Sequence, residues 1–167
     1  MQTRTSLFVL VLLLAAAFAL RVPSFMPHFF NPDESIYLIG GQRIAEGGLQ
    51  YIDTWDNHPP LIHWFYACFA WIFGDGALAA IRIFTCLYLF VGAILFNQVV
   101  VSYRFSKEST FLPGFLYLFA NSVPWHAQEM NAEQLMSLPM LGAFLLVLAH
   151  ATSEHPKALW LFWAGLL

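Results

Sequence analysis

The sequence predicts an all-α fold, a polytopic membrane helix bundle, on three observations. Of its 167 residues, 59% are hydrophobic and only 10% charged, where a soluble domain is about 45–50% apolar and about 25% charged. The mean hydropathy is +0.64, a shift that a bilayer demands because a charge at its centre costs several kcal/mol. The long polar stretch from Asn31 to Leu61 is an acid-rich island set between hydrophobic runs. That island holds Asp33, Glu34, Glu46, Asp53 and Asp56, opposed by Arg43, with His58 able to titrate. The formal charge of −3 is too small and too unevenly spread to suggest a nucleic-acid partner.

Each element follows from local signals, within a single domain over 1–167. Leu7 to Leu20 is unbroken apolar sequence between Arg4 and Arg21, and with its flanks it predicts a first span over about 5–23. A cleaved signal peptide is the alternative, with Ala17-Phe18-Ala19 as its cleavage box, but the further spans favour an anchor. An outer loop over about 24–79 follows. Within it, Asn31-Pro32-Asp33-Glu34 reads as a helix start: Asn31 caps, Pro32 suits the first position and Glu34 closes a capping box. That helix should run to about Glu46 and stop at Gly47-Gly48. Pro59-Pro60 opens a second helix, Leu61 to Phe73, closed by Gly74-Asp75-Gly76. Further spans are expected over about 80–102, 109–125, 134–150 and 158–167. The last is cut short, ALWLFWAGLL, where a span needs about 20 residues, so a fragment of a longer protein is expected. Cys68 and Cys86 lie in apolar runs without CxxC spacing and read as packing residues.

Counting crossings sets the sidedness. Leu61 to Phe73 can span, or can lie in the interface, where Trp64, Tyr66 and Trp71 are at home. In the second case the basic stretch Tyr103–Lys107 and the loop with Lys157 face the cytoplasm. Both acidic stretches, the island and the one carrying Glu129 and Glu133, then face outward on one side. This arrangement is preferred.

Asp33 and Glu34 are the first candidates for chemistry. Acids in a first helical turn also offset the helix dipole, so the pair reads equally as capping or as catalysis, with Asp33 a general base on a hydroxyl. Asp56-Asn57-His58-Pro59-Pro60-Leu61 reads either as a turn before a helix or as an anion site, with His58 or the helix N-terminus holding a phosphate. Glu133 heads an apolar helix, as dipole compensation or as a second carboxylate facing the loop. Arg82 heads another, as a snorkelling anchor or a phosphate ligand. The six histidines, His28, His58, His63, His126, His150 and His155, form no HxxxH or HxH pair. A divalent metal therefore stays open as a cofactor, with no ligand set assigned.

Taken in this order, the features resemble the GT-C glycosyltransferases. Those nearest in pattern are the protein O-mannosyltransferases, the aminoarabinose transferases that modify lipid A, and related bacterial PMT_2-type enzymes. The match consists of a first span, Asp33-Glu34, then Asp56-x-His58-Pro59-Pro60-Leu61, Arg82 at the head of the next span, and Glu133 after the third. It covers nearly this whole chain, but only about the N-terminal third of a typical family member, whose further spans close the pocket, so this chain alone is expected to be inactive. The aminoarabinose transferases have lysine where this chain has His58, and the mannosyltransferases have glycine-lysine where it has Ile62-His63. The resemblance implies a sugar donor on a polyprenyl phosphate and a lipid, glycan or protein acceptor. It puts the catalytic aspartate at Asp33, with Glu34 and Glu133 beside it and a juxtamembrane helix after Pro60. His58 and Arg82 would hold the donor phosphate and Asp56 would contact donor or acceptor, while Trp55, Trp64 and Tyr37 would line a pocket. The implied setting is a bacterial inner membrane, with the site extracytoplasmic. A transporter or flippase for lipid-linked sugars is the competing reading, but transporters gather polar residues at the midplane, and these spans are nearly free of charge. A third reading is an assembly subunit whose outer loop only binds a partner.

Overall fold

A computed structural model describes residues 6–26, 32–102, 111–153 and 157–167, apart from the side chains of Ser102, Trp125 and His126. The capping role of Asn31, the basic stretch Tyr103–Lys107 and the charge of Arg4 lie outside the described residues. So do His28 and His155.

The described residues are helical, with no strand among them. They form α1 (Leu7–Leu20), α2 (Pro32–Ala45), α3 (Pro60–Phe73), α4 (Ala77–Ser102), α5 (Phe111–Ala120), α6 (Ala132–Thr152) and α7 (Ala158–Leu166). Short 3₁₀ turns occupy Val22–Phe25, Gly74–Gly76 and Trp125–Gln128. Pro32 and Pro60 start α2 and α3, where a missing N–H and a φ already near the helical value cost nothing. Just past the ends of these helices Gly47 and Gly74 adopt φ of +94° and +53°, the left-handed region that stops a helix and favours glycine. In α6 the Asn131 side chain accepts from the Gln134 N–H at 2.8 Å, a side-chain N-cap.

Two segments, Pro60–Val101 and Ala132–Thr152, are long and apolar enough to cross a membrane. Of the expected span over 109–125, the described residues are helical over Phe111–Ala120. This helix, α5, gives way at Asn121 and Ser122 to the turn at Trp125–Gln128. Along α6, Met136, Met140, Phe144 and Val147 are exposed, an apolar stripe suited to lipid rather than water.

Packing sets the order of the helices. Leu13 and Ala17 of α1, Leu89 and Ala93 of α4 and Leu118 of α5 form one buried cluster. A Cβ on Gly114 of α5 would meet both Leu13 and Asn97, while Arg21, past the end of α1, reaches Ala127 and Gln128 beyond α5. So α1 and α5 run together and α4 runs against them. On α6, Leu135 accepts from the Tyr88 hydroxyl and Ser137 from that of Tyr117, which sets α6 antiparallel to α5. The end of α1, the start of α4, the end of α5 and the start of α6 therefore meet at one end of the bundle.

The α2–α3 pair sits at that end. A second cluster joins Tyr37 of α2, Ile62 and Tyr66 of α3, Ile81 of α4 and Met130. Chain reversal at Gly74–Gly76 folds α3 back onto the first half of α4, with the Phe65 and Phe69 rings each 5.4 Å from Phe84. α2 lies so close to α3 that a Cβ on Gly41 would stand 2.8 Å from the Ala67 backbone nitrogen. Cys86 is buried as expected of a packing residue, but Cys68 is exposed on α3, and both thiols are free.

Because backbone, not a flexible side-chain tip, opposes Gly41, Gly41→Ala must push α2 off α3. It should cost about 1–3 kcal/mol, the usual range for overpacking. Thermal unfolding in detergent measures this, and an unchanged midpoint would contradict the close approach.

Candidate functional site

Charged and polar side chains are gathered at the end of the bundle that carries α2 and α3. Adjacent residues Asp33 and Glu34 point differently, because successive helical positions turn by about 100°. Glu34 is buried at 1% exposure, and its Oε2 accepts from Arg82 Nη2 at 2.8 Å. Arg82 Nε stands 3.4 Å from the other oxygen, and Nη1 donates to the Met26 carbonyl at 3.0 Å. The Glu34 carboxylate, expected to close a capping box, is thus committed to α4. Arg82, expected at lipid or phosphate, is 5% exposed with its guanidinium engaged, so it neither snorkels nor opens to a ligand. These two residues form a strut beneath Asp33, which is half-buried on the same turn of α2.

Asp56 is the hub of the loop before α3. Its carboxylate lies 2.9 Å from His58 Nδ1 and 2.8 Å from His63 Nε2. The Tyr37 ring meets both imidazoles edge-on, with centroids 5.0 Å and 5.6 Å away, and the Tyr51 hydroxyl donates to the His58 carbonyl at 2.9 Å. His63 is 1% exposed and presses on α2 where Gly40 leaves room: a Cβ there would stand 2.6 Å from its Nδ1. Burial alone would raise the Asp56 carboxyl, but the hydrogen bonds from His58 and His63 outweigh it and hold the group below its ordinary 3.8.

Tyr37 is where the acidic stretches converge. Burial, then the negative charges of Asp33, Asp56, Glu129 and Glu133, push its phenol well above the ordinary value. It therefore stays a hydroxyl at neutral pH. Asp33 lies on α2, Asp56 in the loop before α3, Glu129 in the α5–α6 connection and Glu133 in the first turn of α6; Met130 packs with Tyr37 in one buried cluster, so the structure brings these segments to one end of the bundle. Glu133 is exposed and lines a cavity of about 200 Å³ with Asn121, Asn131 and Gln134. Trp55 and Trp64, expected to line a pocket, are 81% and 61% exposed, whereas Tyr37 is central. Among the described residues no group of three or more His, Cys, Asp or Glu side chains is arranged to hold a metal ion.

Three contributors escaped the sequence reading. His63 looked like an odd residue in an apolar helix. Its place five residues after His58 and seven after Asp56 becomes meaningful only when the loop folds back. Arg21 looked like a flank of the first span, yet it is fully buried, donating to the Ala127 and Gln128 carbonyls at 2.5 Å each. Glu129 is likewise buried. Comparisons with known protein families, curated proteins and solved structures give no match.

The lowered Asp56 carboxyl carries a pH signature. A carboxyl held below its unfolded value contributes stability that is complete above that value. The contribution is lost as pH falls from about 3.8 through the lower folded one. Acid titration of folding should lose one component in that window, and Asp56→Asn should remove it. An identical acid profile in the variant would refute the two-histidine clamp.

Proposed function

We propose that this chain carries the carboxylate side of a membrane glycosyltransferase site. The enzyme moves a sugar from a polyprenyl-phosphate donor to an acceptor hydroxyl on a lipid, glycan or protein. The observation that supports this reading is that α2 with Asp33, the Asp56–His58–His63 cluster against Tyr37 and the start of α6 with Glu133 meet at one end of an apolar bundle. A donor dissolved in the bilayer and an acceptor in water have to meet at such a boundary. In this reading the chain is multi-pass in a bacterial inner membrane, with that end extracytoplasmic.

The chemistry is an inverting displacement. Asp33 takes the acceptor proton as the hydroxyl oxygen attacks the anomeric carbon. The bond from that carbon to the phosphate oxygen breaks with its electron pair on the phosphate, so the leaving group needs no proton. The buried Glu34–Arg82 pair positions Asp33 rather than reacting. Tyr37, held protonated, donates a hydrogen bond rather than accepting a proton. A cation must stabilise the leaving phosphate. Arg82 is committed to Glu34, so that charge has to come from another basic residue.

Asp33→Asn should lower turnover by about 10²–10⁴-fold, the range for a lost general base, while donor binding and unfolding temperature hold. Transfer measured with a polyprenyl-phosphate sugar and retained at the wild-type rate would remove Asp33 from the mechanism. The strut has its own test: Glu34→Leu or Arg82→Met alone should destabilise by about 3–5 kcal/mol, and the double variant by markedly less. Additive losses in thermal unfolding would show that the two side chains do not depend on each other.

A further inference from the structure

His58 and Asp56 together have a chemistry that the reaction above leaves unused. An ionised carboxylate only accepts hydrogen bonds, and His58 Nδ1 lies 2.9 Å from each oxygen of Asp56. Nδ1 therefore carries a proton, and in the neutral ring Nε2 carries the lone pair. His63 is the reverse: its Nε2 donates to Asp56 at 2.8 Å, and its Nδ1 is buried without a partner. One carboxylate thus fixes two imidazoles in opposite tautomers. The lone pair of His63 is sealed against Gly40. That of His58 is not, since its side chain is 29% exposed and Nε2 has no hydrogen-bond partner among the described residues. In the neutral ring a lone pair there suits a proton and repels a phosphate oxygen. Tyr37, edge-on to His58, follows Asp33 by four residues on the same face of α2, so Tyr37 neighbours both Asp33 along the helix and His58 across to the loop.

We propose that His58, oriented by Asp56, is the proton acceptor that takes onward the proton Asp33 removes from the acceptor hydroxyl. This rests on the transfer reaction proposed above. As the new carbon–oxygen bond forms and the carbon–phosphate oxygen bond breaks, the hydroxyl proton moves to the Asp33 carboxylate. It then passes to His58 Nε2, returning Asp33 to its ionised form and making an imidazolium. Asp56 keeps its charge and compensates that cation, the part a buried carboxylate plays behind a catalytic histidine. The proton finally leaves to water over the exposed edge of His58. His63 and Tyr37 are positioning residues: one holds the second face of Asp56, the other fixes the ring plane.

Two measurements on the full chain in lipid nanodiscs test this. With ¹⁵N-labelled histidine at neutral pH, His58 should show a protonated Nδ1 and an unprotonated Nε2, and His63 the opposite. Diethyl pyrocarbonate, which modifies accessible neutral imidazoles, should label His58 and spare His63 when sites are read by mass spectrometry. A proton on His58 Nε2, or an inert His58, overturns the proposal. In the sugar-transfer assay, His58→Ala should lower kcat about 10²-fold with the donor KM unchanged, and added imidazole should restore part of the turnover. A change in KM alone, or no rescue, returns His58 to phosphate holding or to structure and overturns the relay. If the full-length protein containing this chain shows the tautomers but transfers no sugar, the transferase reading fails, and with it Asp33 as the proton source, while the assignment of His58 Nε2 as an acceptor stands.

Discussion

Two buried arginines hold the polar end of this bundle together. Arg82 ties α4 to α2 through Glu34 and to the α1–α2 connection through the Met26 carbonyl. Arg21 ties the end of α1 to the α5–α6 connection through the carbonyls of Ala127 and Gln128. A charge inside an apolar bundle is tolerable only when paired and hydrogen-bonded. Each guanidinium therefore admits few arrangements of its neighbours, and together they set how four helix ends meet. Gln128 and Gln134 extend the same net, donating to carbonyls of Leu20, Ser122, Asn121 and Ala127.

This net explains why two neighbouring acids do different work. Helical rotation turns Glu34 inward, where Arg82 neutralises it, and leaves Asp33 half-buried beside Tyr37. A strut directly beneath Asp33 limits the movement of that carboxylate. The same division recurs in the loop before α3. There the buried His63 holds Asp56, and Asp56 holds the more exposed His58. In both cases an invisible partner inside the fold orients a group at its surface.

Alongside its apolar clusters, the buried set includes Arg21, Glu34, Arg82, Asn97, Gln128 and Gln134, while many large apolar side chains are exposed. Water penalises such an exposed apolar surface, whereas lipid favours it. Helices fit such a setting because they satisfy their own backbone groups. The α5–α6 connection, which is not continuous helix, needs the two glutamines and Arg21 to cap its carbonyls.

The sequence by itself determined the helices and many of their ends. Pro32, Pro60, Gly47 and Gly74 act on the residues beside them, so their effects can be read locally. It also determined the apolar character, which is additive over composition, and it pointed to Asp33, Asp56 and Glu133 as acids of interest. Hydropathy does not register where Asn121 and Ser122 let α5 end, short of the expected limit near residue 125. Only the tertiary structure decided that Glu34 and Arg82 belong to each other, that Asp56 serves two histidines, and that Arg21 and Glu129 are buried. Those pairings join residues remote in sequence or brought close by a folded loop. Electrostatic partners are chosen by distance in space, which local pattern does not encode.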